Sequence, residues 1–277
     1  MDVIHTVAEL RARLADERQV ALVPTMGNLH DGHIELIQIA KPRAACLVAS
    51  IFVNRLQFGP AEDFDRYPRT LATDCERLAQ AGCNVVFAPD EQEVYPEPQE
   101  YTVDPSDIQH VLEGAFRPGH FRGVATVVLK LFNMVQPQIA IFGKKDYQQY
   151  LVLREMVKQL ALPIEIIPAE TVRAPDGLAL SSRNGYLSAQ ERIESIVLFN
   201  QIDGIRQALL GGRRDYGMLE SEAADRLNAR GWQTDYVAIR RQSDLREPGT
   251  DNQALVVLAA ARLGKTRLID NVEVDLS

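Results

Sequence analysis

Short, nearly continuous apolar runs recur along the first part of this chain, separated by longer segments with helical spacing. The runs at 19–24, 46–54, 84–88, 139–142 and 164–168 are too short to be buried helices and carry the β-branched residues of strands covered on both faces. Between them, 32–40, 70–81, 124–135 and 146–160 repeat apolar residues at three- and four-residue intervals. Strand alternating with helix predicts right-handed crossovers and a parallel sheet. In such a sheet, ligands bind beyond the carboxyl ends of the strands, so the chemistry is expected in the segments that follow them.

After about residue 172 the pattern changes. Two helical stretches, 189–210 and 217–230, precede strand candidates at 234–241, 254–263 and 267–274, whose short connections suit antiparallel pairing. Pro175, Asp176 and Gly177 punctuate the change. The expected organisation is an α/β parallel-sheet domain over 1–171 and a smaller α+β domain over 172–277, and 277 residues are enough for both.

Composition narrows the function. Lys plus Arg number 30 against 38 Asp plus Glu, a formal charge of −8, which argues against a broad surface for nucleic acid or anionic membrane while allowing a local cationic pocket. The longest mainly apolar run, 44–53, falls far short of the roughly 20 residues that span a bilayer. The first residues lack the apolar middle of a secretory signal, and Cys46, Cys75 and Cys83 are odd in number without CxxC spacing. A cytoplasmic protein, without a disulfide framework or zinc cluster, is expected.

No two glycines stand two residues apart, so a GxGxxG dinucleotide fingerprint is excluded. Gly264, Lys265 and Thr266 resemble the end of a P-loop, but Ala259 replaces its first glycine and no helix is expected to follow. HExxH, GxSxG and EF-hand patterns are absent too.

Directly after the first run comes Pro24-Thr25-Met26-Gly27-Asn28-Leu29-His30-Asp31-Gly32-His33, leading into an apolar helix face. A strand-to-helix junction is expected to present free backbone N–H groups to a phosphate, and two histidines three apart add imidazole donors for a transferring phosphoryl group. The competing role is helix capping by one histidine. His5, His110 and His120 each stand alone and are expected to be structural.

Three further clusters carry polar chemistry. Asn54 and Gln57 follow the second run; amides that both donate and accept suit a small hydroxy acid, although ordinary loop amides look the same. Gly143-Lys144-Lys145-Asp146, with Gln148 and Gln149, follows the fourth. Lysines at a helix start oppose its dipole, so the pair suggests an anion nearby, against the alternative of a solvated pair. Finally Leu180, Ser181, Ser182 and Arg183 read as a phosphate clamp able to close over leaving pyrophosphate as the domains approach, or as a serine-capped turn.

These segments in this order, PTMGNLHDGH, SIFVN, YPRTLATDCERL, LEGAFRPGHFRGV, KLFNMVQP, DYQQ, DGLALSSRNGYLS and RLIDN, resemble the pantothenate synthetases, or pantoate–β-alanine ligases, of the HxGH nucleotidyltransferase superfamily. The resemblance implies a Rossmann-like first domain with a C-terminal lid, usually a homodimer, and Mg²⁺-ATP-dependent joining of (R)-pantoate to β-alanine, forming AMP and pyrophosphate. It also implies that Met26, Gly27, Asn28, Leu29, His30, Asp31, Gly32 and His33 line the ATP site with Gly143, Lys144, Lys145, Asp146, Val172, Leu180, Ser181, Ser182 and Arg183. His33 would be catalytic, assisted by His30 and Lys145, while Gln57 and Gln149 would hold pantoate with Asn54 close by. Glu113 and Arg117 match further active-site positions. Arg55 stands where the family usually has proline, and Lys144 where it usually has glutamate. A transferase that stops at adenylyl transfer and a nucleotide-binding scaffold without chemistry are the alternatives.

Overall fold

The computed structural model describes residues 1–60 and 62–276. In chain order the elements are β1 (Asp2–Ile4), α1 (Val7–Leu14), β2 (Val20–Thr25), α2 (Asp31–Ala40), β3 (Cys46–Ile51), α3 (Leu71–Ala81), β4 (Val85–Phe87), α4 (Glu91–Val94), α5 (Glu113–Phe116), α6 (His120–Val135), β5 (Ile139–Gly143), α7 (Tyr147–Gln159), β6 (Glu165–Ala169), α8 (Ala189–Glu194), α9 (Ile196–Leu210), α10 (Tyr216–Ala229), β7 (Gln233–Arg241), β8 (Ala254–Leu263) and β9 (Thr266–Asp275), with short 3₁₀ turns between some of them.

The chain divides into two compact units: Met1–Lys144 with Val152–Glu170, and Lys145–Leu151 with the chain from Thr171 onward. The first holds a parallel sheet in the order β1-β4-β3-β2-β5-β6. Its strands alternate their side chains between two cores. Val20, Leu22, Cys46, Val48, Val85 and Phe87 face one core with Leu10 of α1 and the apolar side of α6. Ala21, Val23, Leu47, Ala49 and Val86 face the other, with Ile37 and Ala40 of α2 and Leu78 of α3. That period of two on a sheet covered on both sides explains why each strand reads as an unbroken apolar run.

Strand order reverses between β2 and β5: the chain moves outward from β2 through β3 and β4 on one side, and from β5 to β6 on the other. A crevice at such a reversal is where open α/β sheets take their ligands. The segments leaving β2 and β5 are those that carry the paired histidines and Gly143-Lys144.

The second unit is built on an antiparallel sheet, β7-β8-β9, packed through Leu255, Val257, Ala259, Leu268 and Val274 against α9 and α10. One expectation is corrected here: 189–210 is two helices. Ser188 opens α8 with a reciprocal capping box to Glu191, and buried Ser195 ends it, its hydroxyl donating to the Arg192 carbonyl at 2.7 Å. Gly264 and Lys265 form the tight turn joining β8 to β9, with Gly264 at φ +56°, so the partial P-loop match is a hairpin turn.

Candidate active site

In the first unit, the segment after β2 is held from three directions. Gly27 takes φ +83°, where a Cβ would come within 3.1 Å of both the Asp74 carboxylate and Ile51, so only glycine suits the turn. The Gly27 N–H donates to Thr25 Oγ1 at 3.2 Å, while the N–H groups of Asn28 and Leu29 donate to the two oxygens of Asp74 at 2.9 and 2.8 Å. Asp74, 1% exposed on α3, also accepts the Thr70 hydroxyl at 3.0 Å. One helical turn further along α3, Arg77 donates to the Leu29 carbonyl at 2.9 Å and pairs with Asp31.

The histidines begin α2. His30 is its N-cap residue, with Nδ1 accepting the Gly32 N–H at 3.1 Å, and Nδ1 of His33 accepts the His30 N–H at 3.2 Å. The His33 N–H in turn donates to the His30 carbonyl at 2.8 Å, and the two rings lie 4.0 Å apart. The expected cradle of outward-facing amides is therefore corrected: the N–H groups of Gly27, Asn28, Leu29, His30, Gly32 and His33 all have partners within the protein. The capping role and the donor role are carried by the same rings. An imidazole that accepts at Nδ1 bears its proton on Nε2, so both histidines are set as Nε2–H donors.

The amide cluster after β3 is equally organised. Asn54, 1% exposed, donates to Gln57 Oε1 at 3.0 Å and to the Gly123 carbonyl at 3.2 Å, and its own oxygen accepts the Tyr95 hydroxyl at 2.8 Å. Its hydrogen-bonding capacity is spent on the protein, which makes it a support for Gln57 rather than a free substrate contact. Gln57 Nε2 lies 3.2 Å from Met26 Sδ, bringing the amide cluster against the segment after β2. Close packing of Leu56 and Gln57 on α6 requires Gly123, where a Cβ would stand 2.2 Å from the Leu56 carbonyl oxygen.

Beneath Gln57 lies a charged group of which sequence reasoning saw only part. Arg117 pairs through two nitrogens with Glu62 at 2.7 and 2.6 Å and lies 3.8 Å from Glu113. Burial works to raise the Glu62 carboxyl, but hydrogen bonds and charge from Arg117 outweigh it and hold it below the usual range. His120 Nδ1 donates to the Gln57 carbonyl at 2.9 Å while its Nε2 accepts from Arg117 at 3.0 Å. Burial, aided by the Arg117 charge, lowers His120 to about 4, so the ring is neutral near pH 7.

Both departures from the family pattern find partners within the first unit. Arg55 pairs with Glu91 at 3.0 Å and stacks over Phe64, 4.1 Å from its ring centre. Lys144 pairs with Glu170 at 2.6 Å, so the anion that the lysine pair suggested is, for this lysine, the protein's own carboxylate.

The remaining site residues fall in the second unit. Lys145 lies 3.8 Å from Asp146 and precedes Gln149 on the first turn of α7. Val172 accepts the Leu180 N–H at 2.9 Å, and Arg173 pairs with Ala179, making 172–180 a small hairpin about Pro175-Asp176-Gly177. Beyond it, Ser181 caps a short 3₁₀ turn, Ser182–Tyr186, its hydroxyl accepting the Arg183 N–H at 3.3 Å. The serine-capped turn is thus the local geometry of the expected clamp.

Among the described residues, no group of three His, Cys, Asp or Glu side chains converges in a way that could hold a metal ion. No helix among them is long and apolar enough to cross a membrane.

The family model for pantoate-beta-alanine ligase matches residues 2–273. A pantothenate synthetase of Thiobacillus denitrificans is 58% identical over 275 residues, 99% of this chain and 97% of that protein. One from Nitrosospira multiformis is 56% identical over 274 residues, 99% and 98% of the two chains. Among solved structures, a pantothenate synthetase from Thermus thermophilus superposes with a TM-score of 0.94 at 44% identity, covering 98% of this chain and 99% of that one. A pantoate-beta-alanine ligase from Francisella tularensis, complexed with beta-gamma ATP and beta-alanine, gives a TM-score of 0.83 at 33% identity over 98% and 97%.

Proposed function

The chain belongs to the pantoate–β-alanine ligase family, and we propose that it joins (R)-pantoate to β-alanine in an ATP-dependent reaction passing through a pantoyl adenylate. The pantoate carboxylate attacks the α-phosphorus of ATP in line and pyrophosphate leaves. The neutral amine of β-alanine then attacks the acyl carbon, AMP departs with the bond electrons, and the nitrogen gives up one proton to solvent. No protein nucleophile is needed, so the residues act by positioning and by stabilising charge.

The observation that carries this reading is the locked tautomer of His30 and His33. Two Nε2–H donors at the carboxyl end of β2 suit the charge that builds on the phosphate oxygens as pyrophosphate leaves. We assign His33 the principal role, with His30 and Lys145 assisting. Met26–His33, Gly143, Lys144, Lys145, Asp146, Val172 and Leu180–Arg183 are the proposed ATP residues. Gln57 and Gln149 are the proposed pantoate residues, with Asn54 fixing the Gln57 amide.

Mg²⁺ is proposed to arrive on the phosphates of ATP. An ion that keeps water and substrate oxygens as ligands needs few from the protein, which suits a chain without a ready-made cluster among its described residues. The reading includes a homodimer in the cytoplasm, with domains over 1–171 and 172–277. Its test is to measure AMP and pyrophosphate with pantoate and ATP, with and without β-alanine. Pantothenate made only with β-alanine supports the ligase. Steady pyrophosphate release that ignores the amine indicates a transferase, and ATP binding without turnover indicates a scaffold.

A further inference from the structure

Two neighbouring residues near the end of the chain reach two of the segments assigned to ATP, and both lie in the second unit. Successive strand residues point to opposite faces. On β9, Asp270 shares its face with Leu268, Val272 and Val274, which pack with α9, whereas Asn271 shares the other with Glu273. The Asp270 carboxylate accepts two nitrogens of Arg173 at 2.7 and 2.8 Å, and also the Asn271 N–H at 2.7 Å. Arg173 donates further to the carbonyls of Gly177 and Asn271, at 3.0 and 2.9 Å, and lies over the Phe199 ring. That fixes the first limb and the turn of the hairpin running from Val172 to Leu180. On the opposite face, Asn271 Nδ2 donates to the backbone carbonyl of Lys145 at 2.9 Å, and Glu273 accepts the Tyr147 hydroxyl at 2.7 Å.

We propose that Asp270 and Asn271 are positioning residues for nucleotide use: one strand fixes the hairpin that leads to Ser181–Arg183 on one face and the backbone of Lys145 on the other. The proposal rests on the reading that Lys145 and Leu180–Arg183 bind ATP. An anchor at a backbone carbonyl leaves the lysine side chain available to its ligand while removing the freedom of its Cα. A bidentate arginine–carboxylate pair is the most directional way to hold a hairpin against a strand.

The test measures pyrophosphate release by the full chain while ATP and pantoate are varied in turn. Asn271→Ala is expected to raise the KM for ATP about tenfold, the scale of one lost anchoring hydrogen bond, with the KM for pantoate unchanged. In a Lys145→Ala background the same substitution is expected to add less than about twofold, because coupled residues are not additive. Asp270→Asn leaves the partly buried Arg173 without its counter-charge and risks misfolding. The paired change Arg173→Met with Asp270→Leu replaces both charges by apolar groups and is expected to keep thermal stability yet raise the KM for ATP; should it not fold, Asn271→Ala decides alone. An unchanged KM for ATP in Asn271→Ala, or an effect that persists in full without Lys145, overturns the proposal while leaving the ATP assignment intact. A Lys145→Ala protein with normal ATP kinetics overturns the assignment itself, and the proposal with it.

Discussion

Nδ1 of His33 accepts the backbone N–H of His30 at 3.2 Å, so the start of α2 and the tautomer of the ring are set by one hydrogen bond. A ring protonated at that nitrogen cannot accept it. Cap and proposed catalytic donor are thereby two ends of a single imidazole, and they are separable by substitution.

Asparagine places an acceptor where Nδ1 stands but nothing at Nε2, while glutamine reaches the Nε2 position and loses the cap. His33→Asn is therefore expected to fold with near-normal stability and to lose roughly 10²-fold or more in adenylation, the scale for one transition-state donor. His33→Gln should retain more activity and lose about 1 kcal/mol of stability, the usual cost of a lost cap. Urea titration with single-turnover pyrophosphate release checks both. Equal activity in the two variants would remove the Nε2 donor from the mechanism.

Lys144 and Lys145 look alike in the sequence but differ in their surroundings. The Lys144 side chain is largely covered, and its ammonium is already answered by the exposed carboxylate of Glu170. Lys144→Ala should change the adenylation rate by no more than about threefold, whereas Lys145→Ala should lower it about 10²-fold, as expected for a lost charge-stabilising contact. A rate assay on the two variants decides the assignment, and a larger loss in Lys144→Ala would reverse it.

The buried Asp74 carboxylate accepts Asn28, Leu29 and Thr70 donors, so an amide in its place turns one acceptor into a donor facing donors. Asp74→Asn should cost about 1–3 kcal/mol, the range for an unsatisfied buried polar group. Adenylation should fall with it as the segment from Gly27 to Leu29 loses its anchor. Thr70→Val, which removes one donor alone, should be milder on both measures. If Asp74→Asn matched wild type in urea midpoint and rate, the carboxylate would not be holding the loop.

The alternating sheet was legible because each strand buries both faces, and the histidine pair because it sits where a strand meets a helix. β1 and α1 escaped notice: β1 is a short edge strand burying only Ile4, and α1 buries only Leu10 in a charged stretch. The Thr6-x-x-Glu9 cap at the start of α1 was nevertheless in plain view. Asp74 and Arg77 belong to a segment whose spacing marks it as a helix but does not mark these two as anchors, since an acid and a base three apart on a helix usually face water. Their partners in the segment after β2 lie more than forty positions away in the chain, and the use of histidine Nδ1 atoms as backbone acceptors has no sequence signature. His120 stands alone in the sequence, as a structural histidine would, and it is hydrogen-bonded, but its placement against the Gln57 carbonyl depends on packing between α6 and the turn after β3.

His120 makes a prediction about pH. The groups facing it are Arg117, Glu113 and Glu62, and burial with the Arg117 charge brings its folded value to about 4, below the ordinary 6.5. The folded state therefore binds fewer protons than the unfolded one between these values. His120 contributes its full stability above pH 6.5, loses it progressively as the pH falls, and contributes none of it below about 4. Within that window wild type should lose up to about 1.4 kcal/mol per pH unit through this ring alone, in addition to what the carboxylates contribute. Asparagine, whose amide reaches the Nδ1 position, can still donate to the Gln57 carbonyl but does not titrate. His120→Asn should thus be less stable than wild type at pH 7.5 and approach or overtake it near pH 4.5, giving a shallower stability profile. Urea midpoints for both proteins across pH 4.5–7.5 measure the difference, and parallel profiles would show that the ring does not take up its proton on unfolding.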